Sequence, residues 1–223
     1  MRKLLRGNAP ACLTRFKHGQ DNWSVIAINN LTNDIWVKLN DMQRGYCAYC
    51  ECVIPEDNKK RHIEHFIQRS KDPTLTFTWA NIFGSCNNPN RCGNHKDDSL
   101  AAKKIDLNKV CKPDVQNSGD FLIFLNSGKV RAITKLTVQD SEIANNTITI
   151  FNLDGDSTLE NSRRTAIAGE KRFADEYWEL LADEDANEIA ELLETTLSDA
   201  LIRIKDLAHS TALEHLWKYN EYF

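Results

Sequence analysis

No stretch of this 223-residue sequence approaches the ~20 consecutive apolar residues that a membrane-spanning helix requires. The first ten residues, Met1 to Pro10, have no long apolar run after their basic residues, so they do not read as a signal peptide. A cytoplasmic protein without membrane contact is the expectation. The sequence also lacks internal repeats and low-complexity tracts, which sets aside solenoids and linker-like chains. It lacks an overall positive charge: 28 Lys and Arg against 32 Asp and Glu leave −4. What it does have is 41% hydrophobic and 27% charged residues, enough for a packed core in one large domain or two small ones.

The charge is unevenly distributed. Residues 1–112 carry 18 basic and 11 acidic side chains, or +7, while residues 113–223 carry 10 and 21, or −11. The first half can attract phosphate, and the second would repel it. The same first half holds five of the seven cysteines, between Cys47 and Cys92, together with His62, His65 and His95. In a cytoplasmic chain, cysteines and histidines gathered this way point to metal binding rather than disulfides.

Residues 21–45 show helical spacing of Trp23, Ile26, Ile35, Trp36, Leu39 and Met42. Residues 46–70 read as a hairpin with cysteine knuckles, Trp79 to Phe83 as a short turn or helix, and Lys96 to Lys104 as helix. Phe121–Phe124 and Val130–Ile133 flank Asn126-Ser127-Gly128-Lys129, the pattern of a β-hairpin. Thr147–Phe151 reads as a third short strand. Ser157 with Glu160 forms a capping box that opens a helical region reaching Phe223, with a break around Asp183 to Asp185. Within that region Ile189, Leu192, Leu193, Leu197, Ala200, Leu201, Ile204 and Leu207 share one apolar face.

Cys47-Ala-Tyr-Cys50 has the spacing at which two thiolates reach one ion, and Cys86 with Cys92 supplies a second pair. Four such thiolates make a closed structural zinc site. Cys52 competes for a place in it, whereas Cys12 and Cys111 read as core residues. Between the pairs lies Arg61-His62-Ile63-Glu64-His65-Phe66-Ile67 on a strand. Phosphodiester hydrolysis needs a base to deprotonate water and a cation to stabilise the negative charge that develops. An imidazole titrating near pH ~6.5 suits the first task, and a carboxylate binding Mg2+ or Mn2+ suits the second. The alternative for His65 is a buried structural histidine.

Cys47-x2-Cys50, Glu64-His65, Asn81, Cys86-x5-Cys92 and His95-Lys96 together resemble the HNH endonuclease (ββα-metal) motif. The resemblance covers about 55 residues. It implies His65 as general base, Glu64 as a ligand of a catalytic Mg2+ or Mn2+, and Asn81 as a brace that orients His65 through backbone hydrogen bonds. It implies His95 as second ligand or leaving-group stabiliser, with Asn94 its rival and His62 a substitute for either ligand. The phrases Ile63-Glu64-His65-Phe66 and Cys92-Gly93-Asn94-His95-Lys96 are similar to the retron- and Septu-associated PtuB-type HNH nucleases of anti-phage defence. That likeness extends weakly to Asn152-Leu153-Asp154, Leu159 and Arg163. It implies an ABC/SMC-like ATPase partner of the PtuA kind and, in retrons, a reverse transcriptase with its RNA–DNA hybrid product. This sequence departs from the pattern in having Glu for the usual Asp, Gln68 for a proline, and Gly93 where Asn commonly follows the last cysteine.

The expected fold is therefore α+β: a ββα-metal core at 44–112 with a structural zinc, preceded by a helical segment at 1–43. A mixed, then helical, region at 113–223 would dock a partner. The expected function is metal-dependent hydrolysis of phosphodiester bonds in nucleic acid, DNA favoured. The alternatives are an RNA-cleaving (tRNA) nuclease and a non-catalytic, zinc-stapled adaptor.

Overall fold

The computed structural model describes residues 1–182 and 189–219. It is an α+β fold, about half helical, with two small two-stranded antiparallel sheets. The helices are α1 (Ser24–Ile28), α2 (Thr32–Gln43), α3 (Cys92–Asp98), α4 (Val138–Phe151), α5 (Ser157–Leu181), α6 (Ala190–Ile204) and α7 (Ser210–Lys218). The strands are β1 (Arg61–His65), β2 (Ile82–Cys86), β3 (Leu122–Phe124) and β4 (Val130–Ala132).

The hairpin expected inside residues 46–70 is not local. Residue 46 meets residue 53 in a lone bridge, and β1 pairs with β2 across a loop of 3-10 turns, with Arg61 opposite Cys86 and His65 opposite Ile82. α3 follows directly and packs on β2. α2 buttresses the strands from below. It ends where Arg44 and Gly45 adopt positive φ, and the buried Gln43 side chain then satisfies both the N–H and the C=O of Gly84 at 2.7 and 2.9 Å. Gly84 is required there, because a Cβ would stand 2.8 Å from the Trp36 ring. Gln43 acts as a surrogate strand edge: it gives the Gly84 N–H an acceptor and shares the Gly84 carbonyl with the Ala48 N–H, which donates to it at 3.1 Å.

Two sequence expectations are corrected by helix geometry. Thr147–Phe151 is not a strand but the last turn and a half of α4. Its β-branched run reads as β by propensity, yet Ile143, Ala144, Thr147, Ile150 and Phe151 are buried at helical spacing. Thr147 and Thr149 turn their hydroxyls back to the carbonyls of Ile143 and Asn145 at 2.7 and 2.8 Å, the i−4 bond by which a Thr hydroxyl is satisfied within a helix. α5 is capped by Asp156 rather than Ser157: its Oδ1 accepts from the N–H groups of Thr158 and Leu159 at 2.9 and 3.1 Å.

The β3–β4 hairpin is present as expected. On α6, Leu193, Ala200 and Ile204 are buried, but Leu192 is exposed, as is Leu207 just beyond the helix, so the apolar face is narrower than its sequence spacing. The helix break expected at Asp183 to Asp185 lies outside the described residues.

Segments 1–43, 44–112 and 113–219 contribute to one hydrophobic cluster. Tyr49 of the cysteine knuckle stacks on Phe151 of α4 with centroids 4.0 Å apart. At the start of α7, Ser210 Oγ and the Thr211 N–H donate to the buried Glu51 carboxylate at 3.0 and 3.1 Å, and His209 Nδ1 meets the Cys50 carbonyl at 3.1 Å. The C-terminal helices therefore hold the knuckle in place. Among the described residues no helix is long and apolar enough to cross a membrane.

Candidate metal centre and active site

Two cysteine pairs well separated in sequence meet beneath the β1–β2 hairpin. Cys47 and Cys50 come from the knuckle turn, Cys86 from the end of β2 and Cys92 from the first residue of α3. All four are buried, and their sulfurs lie within 4.8 Å of one another, with Cys50 and Cys86 Sγ at 3.9 Å. Tetrahedral zinc with bonds of about 2.3 Å sets its sulfurs ~3.8 Å apart, so the four thiols fit one such ion. Burial opposes ionisation at Cys47, but hydrogen bonds from the other three thiols pull it well below its ordinary value, while Cys50 and Cys92 are pushed up. Thiols this close cannot all ionise without a cation, and a bound metal would supply that charge. Cys52 stands outside the cluster, 3.8 Å from Arg91 Nη2 and 4.0 Å from His209 Nε2. Cys12 and Cys111 are buried elsewhere.

Between β1 and α3, a cavity of about 420 Å3 is lined by His62, Glu64, His65, Gln68, Arg69, Asn94 and Asp97 among others. Glu64 and His65 both reach it because β1 ends at His65 and the chain turns away there. The Asn81 side chain fixes that turn. Its Oδ1 accepts from the Ile67 N–H at 2.7 Å, and its Nδ2 donates to the carbonyls of Ile67 and Leu75 at 2.9 and 3.3 Å.

The His65 ring is held from two sides. Nε2 lies 2.9 Å from the Thr76 carbonyl, and the Trp23 ring meets it edge to face at 4.5 Å. A carbonyl partner requires Nε2 to carry the proton, which leaves Nδ1 as the acceptor. Burial lowers the His65 pKa to about 4, so near neutral pH the imidazole is in its basic form.

Glu64 is 3% exposed. Burial alone would raise its pKa, but a hydrogen bond with His62 and the charge of Lys96 bring it below the usual value, so the carboxylate is ionised. Lys96, itself buried, places Nζ 2.8 Å from Glu64 Oε1 and 3.1 Å from the His65 carbonyl.

His95 is not brought to Glu64. Its Nδ1 meets the Ile150 carbonyl at 3.0 Å, and the ring lines a separate cavity with Asn88, Asn90, Asp98 and Asn152. The reason is angular: on α3, residue 95 is three beyond Cys92, and its side chain turns toward α4, whereas Asn94 and Asp97 border the Glu64 cavity. Asn94 donates to Asn87 Oδ1 and the Asn88 carbonyl, at 3.0 and 3.3 Å. His62, on the same face of β1 as Glu64, places Nε2 3.2 Å from Glu64 Oε2.

Three contributors had no role assigned from sequence. Lys96 was visible in the motif, but its burial was not. Trp23 lies 42 positions from His65, and nothing local marks it. Gly93 had been only a departure from a pattern. In the fold it is where α3 touches β1: a Cβ there would lie 2.5 Å from Glu64 Oε2 and 2.9 Å from His62 Nε2.

An 82-residue stretch of the chain is 32% identical to Septu protein PtuB of Bacillus thuringiensis. The match spans 34% of this chain and 31% of that protein, so the chain covers under a third of its relative's length. No protein-family model matches the chain.

Proposed function

We propose that this protein is an HNH-type, metal-dependent nuclease acting as the effector of an anti-phage defence system. The observation that carries the reading is the convergence of an ionised Glu64 and a neutral His65 in one cavity, on a turn braced by Asn81 and built over a four-cysteine centre. The similarity to a Septu protein supports the defence role.

In this reading His65 Nδ1 takes the proton of the attacking water, while the Thr76 carbonyl holds the ring in the required tautomer. Glu64 holds a divalent cation, whose chemistry when bound is to stabilise charge on the phosphate and on the leaving oxygen. Lys96 keeps Glu64 ionised and fixes its second oxygen. Arg69, exposed at the cavity rim, attracts a phosphate. The cysteine centre holds zinc and takes no part in the chemistry. The cavity offers nothing that reads a sugar or a base, so DNA and RNA both fit its chemistry, and DNA is the substrate we favour.

The −11 charge of residues 113–223 supports substrate delivery by a partner, in this reading an ABC/SMC-type ATPase of the PtuA kind. In a retron setting a reverse transcriptase with its RNA–DNA product joins them. Cleavage would take place in the cytoplasm.

The test compares the wild-type protein with His65→Ala, each with and without the ATPase, on plasmid DNA and on tRNA in the presence of Mn2+. Cleavage should fall by ~100-fold or more in the variant while zinc content stays unchanged and the melting temperature, lowered by loss of the buried ring, still reports a folded protein. Equal cleavage, or none from either protein under any condition, returns the chain to a zinc-stapled adaptor.

A further inference from the structure

The Glu64 carboxylate divides its two oxygens. Oε1 meets Lys96 Nζ at 2.8 Å, and Oε2 faces His62 Nε2 at 3.2 Å. Residues 62 and 64 share one face of β1 because side chains alternate along a strand. Both press against Gly93, the one residue type that leaves the space they occupy. Among the described residues the His62 ring makes no other hydrogen bond, and its Nδ1 is buried without one. In six-coordinate geometry with bonds of about 2.1 Å, neighbouring ligand atoms stand ~3.0 Å apart. The 3.2 Å between Oε2 and Nε2 matches one edge of such an octahedron. Among the described residues no third His, Cys, Asp or Glu completes a cluster here, so the remaining positions are left for water and phosphate oxygens.

We propose that His62 Nε2 and Glu64 Oε2 are the two protein ligands of the catalytic cation, and that His95 is not a ligand. This rests on the nuclease reading above. It adds a choice of metal: imidazole nitrogen beside carboxylate oxygen favours a first-row transition ion such as Mn2+ over Mg2+, which prefers oxygen throughout. α3 contributes a space at Gly93 rather than a ligand, and β1 supplies both donors.

The experiment is Mn2+ titration of the zinc-loaded full chain, followed by the electron paramagnetic resonance of free Mn2+, with His62→Ala, His62→Asp and His95→Ala alongside wild type. One Mn2+ site per chain is expected. Its affinity should fall tenfold or more in His62→Ala, recover in part in His62→Asp, and hold in His95→Ala, with zinc content and melting temperature confirming that each variant folds. Unchanged affinity in His62→Ala, or loss in His95→Ala instead, overturns the assignment. Cleavage that survives His62→Ala but not His65→Ala would remove this inference and leave the nuclease reading standing. Cleavage lost in neither would remove the reading itself.

Discussion

Replacing Gly93 by alanine puts a methyl group where Glu64 Oε2 and His62 Nε2 now stand. The new Cβ would fall 2.5 Å from Oε2, 2.7 Å from Cδ and 2.9 Å from the His62 nitrogen. Ordinary contact begins at 3.4 Å, so the carboxylate must retreat by about 0.9 Å. It cannot retreat freely, because Lys96 holds its other oxygen and is itself buried. Two opposing terms set the stability. Alanine is favoured over glycine in a helix by about 1 kcal/mol, though less in the first turn where residue 93 lies. Overpacking a close contact costs about 1–3 kcal/mol. The net expectation is a loss of about 1–2 kcal/mol, which leaves the chain folded. Function should suffer more, since a displacement near 1 Å in a reacting constellation costs ~100-fold in rate. The assay is Mn2+ affinity together with cleavage rate, with urea unfolding to separate stability from function. Zinc content should be unchanged, because the three atoms nearest the new Cβ belong to Glu64 and His62 and not to a cysteine. A Gly93→Ala protein that binds Mn2+ and cleaves within threefold of wild type would refute the packing argument and, with it, the role given to the His62–Glu64 edge.

Cys92→Ser should abolish zinc binding and cooperative folding, whereas Cys52→Ser should retain one zinc per chain by metal analysis, because Cys52 lies outside the four-sulfur cluster. Asn81→Ala leaves the half-buried Ile67 N–H without its side-chain partner and removes the bonds to two carbonyls, so it should lower stability by about 1–2 kcal/mol and reduce cleavage through the loosened His65 turn; an unfolding curve matching wild type would count against the brace. Acid should destabilise the fold through His215, whose Nδ1 accepts the Phe124 N–H at 3.1 Å and is lowered to about 3 chiefly by burial. The folded ring therefore stays neutral where the unfolded ring, with its ordinary value of 6.5, binds a proton. The contribution is complete above pH ~6.5 and declines as pH falls toward the folded value, by up to ~1.4 kcal/mol per pH unit. Urea titrations from pH 7 to 5 should show that slope reduced by about this amount in His215→Asn, and an identical slope in both proteins would contradict it.

The four-cysteine cluster was legible from sequence because its members sit in short, chemically distinctive phrases. Two cysteine pairs around Glu64-His65 announce a metal-stapled module whatever the chain does between them. The β3–β4 hairpin was equally legible, since a turn of Asn, Ser, Gly and Lys between two apolar runs leaves few other conformations. The Thr147–Phe151 segment misled because β-branched residues prefer strands only when nothing else decides, and here burial every three to four residues did.

The amino-acid sequence by itself determined which side chains have metal and proton chemistry, and that five cysteines and three histidines lie in one stretch. Only the tertiary structure decided which of them meet. Direction in space depends on where a helix begins and what it packs against, and no spacing along the chain carries that information. α3 starts at Cys92, so His95 turns toward the Ile150 carbonyl while Gly93 faces β1. That rotation joins Glu64 to His62, while Trp23 packs edge to face on the His65 ring and the Thr76 carbonyl fixes its tautomer.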